Sequence, residues 1–145
     1  MTAFNILLVE DNEGDVMIVE RALDGWRDGC HLAVVSDGMQ ALDHLRRQGE
    51  FAGAAKPDLI LLDINMPRMN GKECLKKLKQ DEELKLIPVI MLTSSQAPSD
   101  IIDCYKYQAS SYVLKPFNAR AYVDAVRQVV TFWWDLAQRP SRAAW

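Results

Sequence analysis

The amino-acid sequence predicts a three-layer α/β domain, an open doubly wound parallel sheet of five strands with five helices on its two faces. Two observations predict it. Short continuous apolar runs, Ile6 to Val9, Leu59 to Leu62 and Val89 to Leu92, suit strands covered on both sides. Between the runs lie segments with apolar residues three and four apart, so strand and helix alternate along the chain. The 145 residues are 49% hydrophobic and 26% charged, which fits one globular domain.

Each element has its own signal. The first strand is followed by a helical stripe of Val16, Val19, Leu23 and Trp26. A second strand, Leu32 to Val35, lies between polar His31 and Ser36 and is therefore placed at a sheet edge. Met39, Leu42 and Leu45 mark the second helix, and Arg47 to Pro57 is a surface loop. After the third strand, Asn70 with Glu73 three residues on forms a capping box for a helix bearing Cys74, Leu75 and Leu78. The fourth strand leads to the stripe Ile101, Ile102 and Tyr105. Tyr112 to Leu114 is the fifth strand, and Asn118 opens a last helix with Tyr122, Val126, Val129 and Trp133 inward. Right-handed crossovers join such units into an open sheet. The domain is expected to span 1–137, with 138–145 as a flexible tail.

A formal charge of -3 leaves no basic footprint for nucleic acid and no polybasic membrane patch. No apolar run approaches the roughly 18 residues that cross a bilayer, and no secretory leader is visible, so a cytoplasmic protein is expected. Cys30, Cys74 and Cys104 show neither C-x-x-C spacing nor histidine pairing, against a disulfide framework or structural zinc. His31 and His44 read as surface residues, and Cys74 and Cys104 as small buried groups.

Ligands of open α/β sheets bind beyond the carboxyl ends of the strands. Strand one delivers Glu10 and Asp11 there, strand three Asp63, strand four Thr93 and strand five Lys115. Three carboxylates on one rim repel one another unless a cation intervenes, and a hard divalent ion such as Mg²⁺ takes oxygen ligands of this kind. With a hydroxyl and an ammonium beside them, they make half of a phosphoryl-transfer site, with Asp63 as the nucleophile.

Four motifs in order give the chain a family resemblance. Leu7-Leu-Val-Glu-Asp11, the stretch from Asp58 through Asp63 and Pro67 to Gly71, Ile87 to Ser94, and Tyr112-Val-Leu-Lys-Pro-Phe117 resemble the receiver domains of bacterial two-component response regulators, from about Asn5 to about Val130. The resemblance implies a flavodoxin-like strand order 2-1-3-4-5. It implies that Asp63 accepts a phosphoryl group from a phosphohistidine of a sensor histidine kinase. Glu10, Asp11, Asp63 and the Asn65 backbone carbonyl would organise Mg²⁺, with Glu10, longer than the aspartate common at its position, reaching the ion directly or through water. Thr93 and Tyr112 would be a switch pair, Tyr112 turning from exposed to buried, and Lys115-Pro116 a cis peptide. Such a protein is a phosphoacceptor in signalling rather than an enzyme with turnover. No DNA-binding output module is expected in the chain, so its output would be protein contact.

The last helix carries Phe132, Trp133 and Trp134, more apolar bulk than one core-facing stripe covers. It resembles the extended final helix of response regulators partnered with bacterial phytochromes, as do Ser94-Ser-Gln96 and the long loop before Pro57. That resemblance implies a homodimer through this helix and the face of the fourth helix, fifth strand and fifth helix, weakened by Trp134→Ala. Two other classes use a comparable rim. A haloacid-dehalogenase-like phosphotransferase would need an acid where Asn65 stands, and a flavodoxin-like FMN module would need neutral groups where Glu10, Asp11 and Asp63 stand.

Overall fold

The structure, a computed structural model, describes residues 3–140. The strands are β1 (Phe4–Val9), β2 (Cys30–Val35), β3 (Leu59–Leu62), β4 (Val89–Thr93) and β5 (Ser111–Leu114). The helices are α1 (Glu13–Leu23), α2 (Gly38–Leu45), α3 (Gly71–Gln80), α4 (Pro98–Lys106) and α5 (Ala119–Thr131). All strand pairs are parallel and run in the order β2-β1-β3-β4-β5, so the expected topology and the edge position of β2 are both present.

Alternation along the central strands builds two cores. Leu7, Val9, Ile60, Leu62, Val89 and Met91 point to one face, under α2, α3 and α4. Ile6, Leu8, Leu59, Leu61, Ile90 and Leu92 point to the other, under α1 and α5. Covering such a side chain contributes about 1.5–3 kcal/mol, and every residue of β3, clad on both sides, is buried. The helix starts behave as their sequences require: Asn70 accepts the Glu73 amide proton at 3.0 Å and Asn118 that of Ala121 at 2.8 Å.

Four local expectations are corrected. Of the α4 stripe, Ile102 and Tyr105 are exposed, and the helix is anchored by buried Cys104 instead. His44 is buried, because the loop after α2 folds back and sets Phe51 against its ring at 5.2 Å. Burial without a charged partner lowers its pKa. The tail expected to begin at 138 is held at Arg139, which donates to the Trp133 carbonyl at 2.9 Å and to Asp58 at 3.0 Å. The remainder of that tail, 141–145, lies outside the described residues.

The fourth correction concerns the aromatic end of the last helix. Thirteen helical residues from Ala119 carry the chain about 20 Å back, the length of a six-residue strand, so α5 ends where β1 begins. There the helix widens into a π turn, Phe132–Leu136, with the Ala137 amide donating to the Phe132 carbonyl at 2.8 Å. The changed angular step lets both Trp133 and Trp134 pack against the core within their own chain. Trp134 stacks on Phe4 with centroids 5.1 Å apart, and Arg27 covers its other face at 3.7 Å. Arg139 lies 4.8 Å over the Phe4 ring, completing a four-layer stack of cation, two rings and cation. Asp135 holds Arg27 by two hydrogen bonds, at 2.9 and 2.7 Å. Phe132 and Leu136 are the large apolar residues of this turn left exposed.

Trp134→Ala is therefore expected to destabilise the fold itself, by about 2–4 kcal/mol in equilibrium urea unfolding, whereas exposed Leu136→Ala should change it by less than about 0.5 kcal/mol. Equal effects of the two would contradict the intramolecular stack.

Candidate functional site

Strand register assembles the site. Val9 pairs with Leu62, so Glu10 and Asp63 leave adjacent strands side by side at the carboxyl rim. Thr93 pairs with Leu114, so Lys115 follows from the neighbouring edge. The Asp63 amide donates to the Val9 carbonyl at 3.1 Å and the Lys115 amide to the Thr93 carbonyl at 2.9 Å, which fixes both backbones.

Glu10, Asp11 and Asp63 each offer a carboxylate oxygen, and these atoms all lie within 4.8 Å of one another. Glu10 and Asp63 are buried and Asp11 is exposed. Two carboxylates at that spacing repel by roughly 3–4 kcal/mol at an effective dielectric of 20. Burial, reinforced by the charge of Asp63, pushes Glu10 up to about 7 despite its bond to Lys115. Lys115 supplies the compensating charge: its Nζ is 2.7 Å from Glu10 Oε1, 2.7 Å from Asp15 Oδ2 and 3.2 Å from Asp63 Oδ2. Burial alone would lower the Lys115 pKa, but the bonds to Asp15 and Glu10 and the charge of Asp63 outweigh it and hold the ammonium above its ordinary range. An all-oxygen, strongly anionic set with an exposed member is the donor chemistry of a hard divalent cation, so the residues fit Mg²⁺. Both oxygens of Glu10 already have protein partners, Lys115 on one and the Asn12 amide at 3.1 Å on the other.

The loop after Asp63 is tightly set. The Ile64 amide donates to Asp63 Oδ1 at 2.8 Å, leaving Oδ2 towards Lys115. Gly71 closes the loop through its amide to the Ile64 carbonyl at 2.8 Å, and a Cβ at Gly71 would fall well inside contact distance of the Asp63 carbonyl. Asn65 is exposed in this loop. Arg68 pairs with buried Asp37, and the Gly38 amide donates to the Met69 carbonyl at 3.0 Å, tying the loop to α2.

Thr93 is fully buried, and its hydroxyl oxygen accepts the Ser95 amide at 3.4 Å. Tyr112 is half-buried rather than exposed, because its hydroxyl donates to the Ser95 carbonyl at 2.8 Å. No peptide bond among the described residues is cis, so Lys115–Pro116 is trans, the isomer favoured by about 0.5–1 kcal/mol. Thus Glu10, Asp11, Asp63 and Lys115 are brought together, with Thr93 and Tyr112 joined through Ser95. Phe132, Trp133 and Trp134 lie at the opposite end of the sheet. Asp15 was missed by the sequence reading. It stands in the first turn of α1, six residues past the apolar run, and without the structure its carboxylate is indistinguishable from a helix-start acid.

A family model for the response regulator receiver domain matches residues 6–127. The chain belongs to the response regulator receiver domain family. Among curated relatives of this receiver domain is the response regulator Rcp1 of Synechocystis sp., 35% identical over 136 residues, 94% of this chain and 92% of the relative. The crystal structure of the phosphorylated cyanobacterial phytochrome response regulator RcpA superposes with a TM-score of 0.92 at 38% identity, covering 96% of this chain and 99% of that one. The Mn(2+)-bound form of Rcp1 superposes at 0.88 with 35% identity, covering 95% and 99%. No helix among the described residues is long and apolar enough to cross a membrane.

Because Gly71 leaves no space beside the Asp63 carbonyl, Gly71→Ala is expected to cost about 1–3 kcal/mol and to displace Asp63. Calorimetric titration should then show weaker Mg²⁺ binding than in the wild-type receiver; unchanged affinity would contradict this account of the loop.

Proposed function

We propose that Asp63 accepts a phosphoryl group from a phosphohistidine of a sensor histidine kinase, of the bacterial phytochrome class, and that the receiver signals by changing its protein-contact surface. The observation that carries the reading is the Lys115 ammonium shared between Asp63 and Glu10 at a rim where three carboxylates meet. Asp63 Oδ would attack phosphorus as the phosphorus–nitrogen bond of the donor imidazole breaks, and the imidazole leaves with that electron pair. Glu10, Asp11, Asp63 and the Asn65 carbonyl would hold Mg²⁺, with Glu10 acting through water because its own oxygens are taken by Lys115 and the Asn12 amide. When bound, the ion supplies positive charge against the phosphoryl oxygens. Lys115 orients Asp63 beforehand and neutralises a phosphoryl oxygen afterwards. One phosphoryl group per chain is expected rather than turnover, in a cytoplasmic protein.

The switch would begin at Thr93. Its hydroxyl, attracted to a group carrying about two negative charges, would leave the Ser95 amide. The Ser95 carbonyl holds the Tyr112 hydroxyl, so this movement would reach β5 and the exposed Ile102, Tyr105 and Leu114. A homodimer through this face and the outward side of the last helix is supported by the exposure of Phe132 and Leu136; Trp133 and Trp134 would act by shaping that surface from beneath.

Acetyl phosphate with Mg²⁺ is expected to label the wild type to about one equivalent and Asp63→Asn to background, and chelating the metal should stop labelling. Stoichiometric labelling of Asp63→Asn on intact-mass spectra would reject the assignment. For the dimer, sedimentation at micromolar concentration should show two copies in the wild type and one in the Phe132→Ala, Leu136→Glu double variant. A monomeric wild type would reject that interface.

A further inference from the structure

We infer that Asp15 is a positioning residue that restrains Lys115 and so limits how firmly the receiver holds a phosphoryl group. The inference rests on Asp63 being the phosphoryl acceptor. Asp15 is placed by the first turn of α1, where the Asn12 side chain accepts its amide proton at 2.9 Å. From there its Oδ2 sits 2.7 Å from Lys115 Nζ, closer than the 3.2 Å of Asp63.

A lysine ammonium has three protons, and Glu10, Asp15 and Asp63 account for three acceptors within 3.2 Å. Asp15 stands apart from the three carboxylates, Glu10, Asp11 and Asp63, that meet within 4.8 Å. A cation gathered by those three competes with Lys115 for Glu10 and Asp63 but leaves the bond to Asp15 in place. One proton of the ammonium therefore stays committed to α1.

Two consequences have the same sign for a phosphoryl group on Asp63. It would share an ammonium whose charge is already partly offset, and it would face a fixed carboxylate behind that ammonium. Both raise the energy of the phosphorylated state. The sign is opposite for a divalent cation, which the same negative charge attracts. Neutralising Asp15 should thus lengthen the phosphoryl lifetime while weakening Mg²⁺ binding, a pair of opposed changes that general loosening of the site would not produce.

The experiment uses the whole chain with Asp15→Asn, Asp15→Ser and Asp15→Glu. After labelling with acetyl phosphate and Mg²⁺ and removal of the donor, phosphoryl decay is followed by intact mass; Mg²⁺ affinity of the unlabelled proteins is measured by calorimetry. Decay about three- to tenfold slower in both neutral variants, a dissociation constant for Mg²⁺ raised several-fold, and return of both towards wild type in Asp15→Glu are expected. Unchanged or faster decay in the neutral variants overturns the inference, as does failure of Asp15→Glu to restore either quantity. A wild-type chain that takes no label overturns the Asp63 reading and this inference together, whereas a labelled wild type with unaltered decay in the neutral variants overturns this inference alone.

Discussion

One buried ammonium makes the carboxyl rim of this sheet possible. Parallel register forces Glu10 and Asp63 side by side, and α1 begins close enough to add Asp15. Three carboxylates, Glu10, Asp15 and Asp63, pair with Lys115, and Asp11 adds a fourth acid beside Glu10 and Asp63. Burial is the main cause that pushes Glu10 up to about 7, and the neighbouring Asp63 adds to it. Without Lys115 the buried pair would lose its counter-charge, a change that typically costs 3–5 kcal/mol where a desolvated ion is left unpartnered. The site is therefore a standing demand for positive charge, met in part by Lys115 and open to a divalent ion for the rest.

Stability is secured far from that demand. The two cores lie beneath the rim, and the opposite end of the sheet is closed by the stack of Arg27, Trp134, Phe4 and Arg139. Both cations in it are balanced, Arg27 by Asp135 and Arg139 by buried Asp58. The helix α5 connects the two ends: it starts just past Lys115 with Asn118 as its cap and finishes in the π turn that seats Trp133 and Trp134. Trp134, which the sequence assigned with Phe132 to a second chain, stacks on Phe4 at the start of β1. What the turn presents outward is Phe132 and Leu136, a smaller and differently placed surface.

The sheet order and the convergence of Glu10, Asp11, Asp63 and Lys115 were legible in the sequence, because apolar runs locate strand ends and parallel strands deliver their following residues to one edge. The side-chain partners were not. Asp15 belongs to a helix start, where acids are common for other reasons. Burial of His44 depends on Phe51 returning from a loop without periodicity, and the inward packing of both Trp133 and Trp134 depends on a π turn that α-helical spacing does not anticipate. The exposure of Ile102 and Tyr105 has the converse cause: an apolar stripe was read as core where α4 is held by Cys104 and polar contacts.

Those polar contacts bear on how an event at Asp63 could travel. Ser95 joins three neighbours across these loops: its amide donates to Thr93, its hydroxyl donates to Asp100, and its carbonyl accepts from Tyr112, while its hydroxyl oxygen also accepts the nearby Ala97 amide. Asp100 in turn pairs with Lys72 at 2.5 Å, and Lys72 follows Gly71, the residue packed on the Asp63 carbonyl. The two loops beside Asp63 are thus joined into a ring that passes through β3, α3, α4 and β4. Once the Thr93 hydroxyl leaves the Ser95 amide, Ser95 is freed on that side, and any resettling of it carries its partners Asp100 and Tyr112 along. A ring of this kind favours two discrete arrangements over a graded response, because packed and hydrogen-bonded elements rearrange together. The charge that Asp63 gains would have to outweigh the whole ring, and that is the physical sense in which a local phosphoryl group could alter a surface on α4 and β5.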